Sequence, residues 1–171
     1  MHLVKRIIGG FFLTLILLWL LAPKEEIYYL LEQELNKQDI IISNEQFTDR
    51  WYGLEINHAD IYVKGINMAQ VGSLRLNLFF LYNSLTVDSI LTDKGIHNVA
   101  PESIDTLSAT YSVINPMNVV INTAGSFGAA EGSVNLAERH LMIRLTDAKE
   151  ITAFRKFLKK DTEGFYYETG Y

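Results

Sequence analysis

The residues best suited to proton transfer or metal ligation in this chain are its four histidines, His2, His58, His97 and His140. They lie far apart, and none sits in a metal-ligand spacing such as H-E-x-x-H, so each reads as a surface or turn residue. There is no cysteine, which excludes thiolate nucleophiles, cysteine zinc sites and disulfides. No G-x-S-x-G or Walker pattern occurs. Gly125-Ser126-Phe127-Gly128 is glycine-rich, but no helix follows to offer its dipole to a phosphate, so it reads as a strand with a tight bend. An enzyme would need a carboxylate such as Asp60 or Asp88 to meet a histidine in a cleft, and nothing in the spacing brings them together. The expectation is a chain without catalytic residues, metal or cofactor.

Binding chemistry is better represented. Arg155, Lys156, Lys159 and Lys160 could meet anionic lipid headgroups, or form a solvated helix face whose charges match the C-terminal end of the dipole. Phe79-Phe80-Leu81-Tyr82 is the most apolar stretch outside the N-terminus, as expected of a strand buried on both faces or of one lining a lipid-binding groove. With the basic cluster, Phe79, Phe80 and Tyr82 are the candidate lipid or partner surface. Trp51 and Tyr52 before Gly53 fit core packing at a turn, or an exposed patch. A net charge of −5 argues against nucleic acid, whose phosphates select basic surfaces.

These residues must be positioned by elements of two kinds. The first is an anchor at residues 1–22. Lys5 and Arg6 precede an uncharged run through Phe11, Leu15 and Trp19 to Ala22. A helix of about 20 residues spans ~30 Å, the thickness of the hydrocarbon core. Lys5 and Arg6 hold its start in the cytoplasm, and Trp19 suits the far interface. A cleaved signal peptide is the alternative, but Trp19-Leu20-Leu21-Ala22-Pro23 lacks the small-x-small cleavage pattern. The chain is therefore expected to cross the inner membrane once, with its C-terminal domain in the periplasm.

The second kind follows Pro23. Residues 23–38 are expected as an amphipathic connecting helix, with Ile27, Leu30, Leu31 and Leu35 on one stripe that packs on the sheet or lies in the interface. From Asp39 the period becomes two, and residues 39–171 read as a β-rich domain. Leu54 and Ile56 alternate with polar neighbours, then the phase slips to Ala59, Ile61 and Val63, which predicts a bulge or tight turn near His58. Further strands are expected over 74–78, 85–91, 107–113, 118–127, 132–136 and 141–145, an antiparallel meander. Asp147 and Glu150 have capping-pair spacing before Ile151, Phe154 and Leu158, which predicts a second helix, and Gly164 opens a last strand at Phe165. The fold class is α+β, mainly β: a transmembrane helix, then a curled antiparallel sheet with one or two flanking helices.

This order of features resembles the start of AsmA-like envelope proteins, on the anchor, the short helix, Gly53-Leu54, Ala69-Gln70-Val71 with Leu74, Leu76 and Leu78, and Leu85 to Ile90. The stretch from Gly125 to Leu145, and Glu163-Gly164-Phe165-Tyr166-Tyr167, are similar to the glycine-bounded hairpins of the type II secretion system protein N family. The resemblance implies a curled periplasmic sheet with an apolar inner face, in a setting of secretion-machine assembly or lipid movement between membranes. About 150 residues beyond the anchor make one ordinary domain, too short for an extended groove across the periplasm. The expected function is a non-catalytic accessory or scaffold part of a secretion, pilus or flagellar-type assembly, docking through open strand edges. The alternative is a lipid-binding module with an apolar groove. The implied partners are the inner membrane, other envelope-machine proteins and lipid; oligomerisation stays open.

Overall fold

The computed structural model describes residues 24–50, 52–79 and 81–171. The expected membrane anchor, with Lys5, Arg6, Phe11, Leu15 and Trp19, lies outside the described residues, as do Trp51 and Phe80. Among the described residues no helix is long and apolar enough to cross a membrane.

Helix α1 (Lys24–Asn36) is followed by strands β1 (Ile40–Ser43), β2 (Gln46–Arg50), β3 (Gly53–Val63), β4 (Ile66–Leu78), β5 (Tyr82–Thr92), β6 (Ser103–Ser112), β7 (Asn118–Gly125), β8 (Gly128–Asn135), β9 (His140–Ala148), β10 (Lys159–Asp161) and β11 (Gly164–Gly170). All pair antiparallel in one open sheet, ordered β1-β3-β4-β5-β6-β7-β8-β9-β11-β10, with β2 also on β3. β1 and β2 are two halves of one edge, broken where Asn44 takes a φ of 65°. At the other edge the chain passes β9, forms β10 and returns as β11 between them. The meander read from the period-two pattern is present from β3 to β9.

Tight turns suit their residues. Val63 pairs with Ile66 around Lys64 and Gly65, at φ 51° and 78°, the double positive φ of a two-residue hairpin whose twist matches its strands. Gly125 pairs with Gly128 around Ser126 and Phe127, so the bend lies there and residues 128–130 belong to β8, not to the connection expected from the sequence.

One face of the sheet is apolar, as cross-strand rows show. Leu54–Leu76–Leu85–Ala109–Ile121 and Ile56–Leu74–Val87–Leu107 run across consecutive strands. Helix α1 covers its β3 side: Tyr28 joins Leu54, Ile56, Ala59, Val71 and Val87 in a buried cluster and meets Phe47 edge-on at 5.0 Å. Leu54 and Ile56 are only 1% and 2% exposed, which marks this as the best-packed part of the molecule. The helix packs on its own sheet, one of the two placements expected of it, but through Tyr28, while Leu30 of the expected stripe is 65% exposed.

The predicted slip at His58 is real and extends further. His58 has a φ of 54°, and at the same level Gly72, Ser89 and Asp105 of β4, β5 and β6 drop out of the pairing while the register on either side is kept from β3 to β6; shifts of register fall at Ile61/Tyr62, and at Asp105 between β6 and β7. Ser89 also has positive φ, 58°. A Cβ on Gly72 would come within 2.9 Å of the Ser89 Cβ. This row of unpaired residues changes the side-chain phase in four strands together. Ala59, Val71, Ile90 and Ile104 beyond it therefore stay on the face of Ile56, Leu74, Val87 and Leu107.

The second flanking helix does not form. Asp147 and Ala148 continue β9, paired with Ala129 and Gly128, and the Lys149 N–H donates to the Phe127 carbonyl at 2.8 Å. Residues 149–158 are turns with a single 3-10 turn at Arg155–Phe157. Ladder bonding claims Asp147, the expected cap, so tertiary pairing overrides a local signal. The apolar side chains read as a helix stripe still face inward: Ile151, Phe154 and Leu158 pack on Phe127, Ala130 and Leu145 in a second cluster.

Candidate functional site

The polar groups of the sheet pair off locally. Arg50 binds Glu55, Arg75 binds Asp88, and the Asn44 amide donates to Asp60 at 2.6 Å. Arg144 and Asp161 form a two-pronged pair, 2.8 Å on each arm, beneath the Tyr166 ring. The Arg144 fork and two backbone N–H groups hold the Asp161 carboxyl down at about 2, and Asp161 in turn pushes the guanidinium up. Glu168 accepts from Lys159 at 3.1 Å and lies 2.9 Å from His140 Nε2, and these two hold its carboxyl below the usual range. His97 contacts the Thr92 carbonyl at 3.1 Å, and His58 is exposed on its bulge. Among the described residues no three His, Asp or Glu side chains are placed to hold a metal ion.

The basic cluster is split. Arg155 and Lys156 sit in the 3-10 turn, while Lys159 and Lys160 lie on β10. Arg155 and Lys160 lie over Phe165, at 5.2 and 5.4 Å from the ring centre, Lys156 over Phe157 and Lys159 over Tyr166. These are contacts of cations with nearby rings, not one helix face turned to a surface.

Phe79 and Tyr82 correct a second expectation. They are not in a strand buried on both faces but flank the β4–β5 hairpin turn, where Phe79 N–H donates to the Tyr82 carbonyl at 3.1 Å. Phe79, Leu81 and Tyr82 are exposed, and Phe79 stacks on Tyr52 at 5.5 Å. β10 is on the far edge of the sheet, so the aromatic and basic candidates form no common site.

The structure instead brings together residues that the sequence did not single out as a site. The row Tyr111–Val119–Val134–Leu141 crosses β6, β7, β8 and β9, with Ala109 and Ile121 beside it. All six are half-buried, and neither the α1 cluster nor the 149–158 cluster includes them. They form an apolar strip on the covered face of the sheet, between its two covers. At the nearby end of the sheet, Val113, Ile114, Met117 and Leu136 stand exposed in the β6–β7 and β8–β9 turns, Ile114 at 92%. Val113 and Leu136 closed two of the expected strands, and Ile114 and Met117 fell in the connection between strands, so nothing local marked the four as one surface. Comparison with protein-family models, curated proteins and solved structures gave no match to this chain.

Proposed function

We propose that this chain is a non-catalytic, inner-membrane-anchored periplasmic protein that serves as an accessory or scaffold component of a cell-envelope assembly, of secretion, pilus or flagellar type. The carrying observation is the apolar strip of β6 to β9, which no described cluster covers, beside polar groups that are paired among themselves. Contiguous apolar surface that remains half accessible is where a partner gains by docking. The row of unpaired residues at His58, Gly72, Ser89 and Asp105, two of them at positive φ, favours a curled sheet with this strip on its inner side. Strand addition at the edges is the weaker route, because β10 has three residues, two of them lysines, and the β1/β2 edge is broken at Asn44. A specific observation favours lipid as the second reading: the strip runs on into the apolar turns at the end of the sheet, as a path for acyl chains needs.

One experiment separates the two. The full chain is captured from detergent-solubilised membranes, as wild type and with Val119→Asp on the strip. Stoichiometric envelope proteins that vanish with the variant support the scaffold. Acyl lipid in excess of annular lipid, lost with the variant, supports the lipid module. Recovery of neither from the wild type sinks both.

A further inference from the structure

We infer that the end of the sheet bearing the β4–β5, β6–β7 and β8–β9 turns rests in the headgroup layer of the bilayer entered by the N-terminal run; this rests on the anchored reading above. The direction of α1 sets the geometry. At its C-terminal end the chain passes into β1, where Ile40 pairs with Val63 and the Lys64 N–H donates to the Asp39 carbonyl at 2.9 Å. Eight residues earlier, about 12 Å along a helix, Tyr28 lies on Phe47, which pairs with Ile56. The helix thus runs from the Gly53 end of β3 toward the Val63 end, and its first residue, Lys24, points toward the Gly53 end. Gly53 pairs with Asn77 beside the β4–β5 turn, and the β6–β7 and β8–β9 turns are at this same end.

Only Pro23 separates the apolar run ending at Ala22 from Lys24. Two residues of chain reach ~7 Å at most, so the Gly53 end is held against the membrane surface. That end carries the matching chemistry. Leu81, Tyr82, Val113, Ile114, Met117 and Leu136 are exposed there, and the turns Phe79–Leu81 and Val113–Met117 contain no charge, although Glu138 and Arg139 stand in the β8–β9 turn and Arg50 lies beside Gly53. The opposite end carries Lys64, Asp93, Lys94, Glu102, Lys149 and Glu150, the pattern of a surface facing water, although Ile66 and Val99 are exposed among them. Aromatic and aliphatic side chains on turn tips gain from the interface between water and hydrocarbon, and the tether supplies the local concentration.

The absence of cysteine permits a direct test. The full chain with Ile114→Cys, Leu81→Cys or, at the opposite end, Asn98→Cys is labelled with a nitroxide and reconstituted into vesicles of phosphatidylethanolamine and phosphatidylglycerol. Power saturation with oxygen and with a water-soluble nickel chelate then reports depth. Oxygen should dominate at 114 and 81, giving a positive depth parameter, and the nickel chelate at 98, giving a negative one. A protein that floats with the vesicles while its 114 and 81 labels meet the nickel chelate freely overturns the inference and leaves the anchor standing. Exclusion of both reagents at 114 and 81 means a second copy covers this end, and overturns it too. A chain that does not float with the vesicles removes the anchor and the inference together.

Discussion

Asp161 shows how a single contact sets a pH response. Its carboxyl is held at about 2 in the folded chain, below its ordinary 3.8, chiefly by the Arg144 fork. A depressed acid stabilises the fold fully above its unfolded value and loses that contribution as pH falls through the folded one. The wild type should therefore denature at higher temperature than Asp161→Asn above pH ~4, with the gap closing toward pH ~2; parallel melts over that range check it. Two other residues are polar where the fold wants none. The Thr123 hydroxyl and the Tyr28 phenol are buried without a hydrogen-bond partner among the described residues, and burial pushes the Tyr28 phenol up. Thr123 stands on the apolar face between Leu107 and Ala130. Thr123→Val should raise unfolding stability by about 1 kcal/mol, and Tyr28→Phe should leave it within about 1 kcal/mol, because an unsatisfied buried hydroxyl opposes folding. Denaturant titration reads both; a clear loss for Thr123→Val would mean that its hydroxyl is bonded.

At the scale of elements, the row of unpaired residues and the two covers do the organising. Gly72 has no room for a side chain against Ser89, so Gly72→Val should destabilise by about 1–3 kcal/mol through overpacking of β4 on β5. Ser89→Gly added to Gly72→Val should recover part of that loss, because it removes the Cβ in the way; no recovery would contradict the crowding. The segment 149–158 acts as a cover without being a helix. Phe154 meets Phe127 edge-on at 6.5 Å over Ala130 and Leu145, and Phe154→Ala should cost about 2–3 kcal/mol, less than a fully buried ring because Phe154 is half-exposed. Chemical denaturation measures it. The sequence exposed the slip at His58 because a phase change is written in the apolar pattern itself. Its continuation through Gly72, Ser89 and Asp105 was hidden, because it exists only once four strands are in register. β2 and β10 were hidden for a related reason: Gln46–Arg50 and Lys159–Asp161 are polar edge strands, and an edge has no second neighbour to demand an apolar alternation.

For the molecule as a whole, the proposed anchor is what links the open sheet, its strip and its apolar end to a membrane. Alkaline phosphatase fused after Leu30 should be active in cells, with no shortened product, because Lys5 and Arg6 orient the run and no cleavage pattern closes it. An inactive fusion, or a product trimmed past Ala22, would remove the anchored reading and with it the placement of the sheet. The strip and the turn tips were only half legible. Tyr111, Val119 and Leu141 fell in expected strands, but which of them α1 or residues 149–158 would leave uncovered depends on contacts distant in sequence.

The sequence by itself determined the apolar run and its flanking charges, the helix after Pro23, and the strands with two-residue alternation, since each depends on side-chain solvation over a few neighbouring residues. Tertiary structure alone decided that residues 147–148 extend a strand, that Phe79 and Tyr82 flank a turn, and that the basic residues disperse over aromatic rings. Those outcomes turn on which distant strand supplies the hydrogen bonds and the covering surface, and no local pattern carries that information.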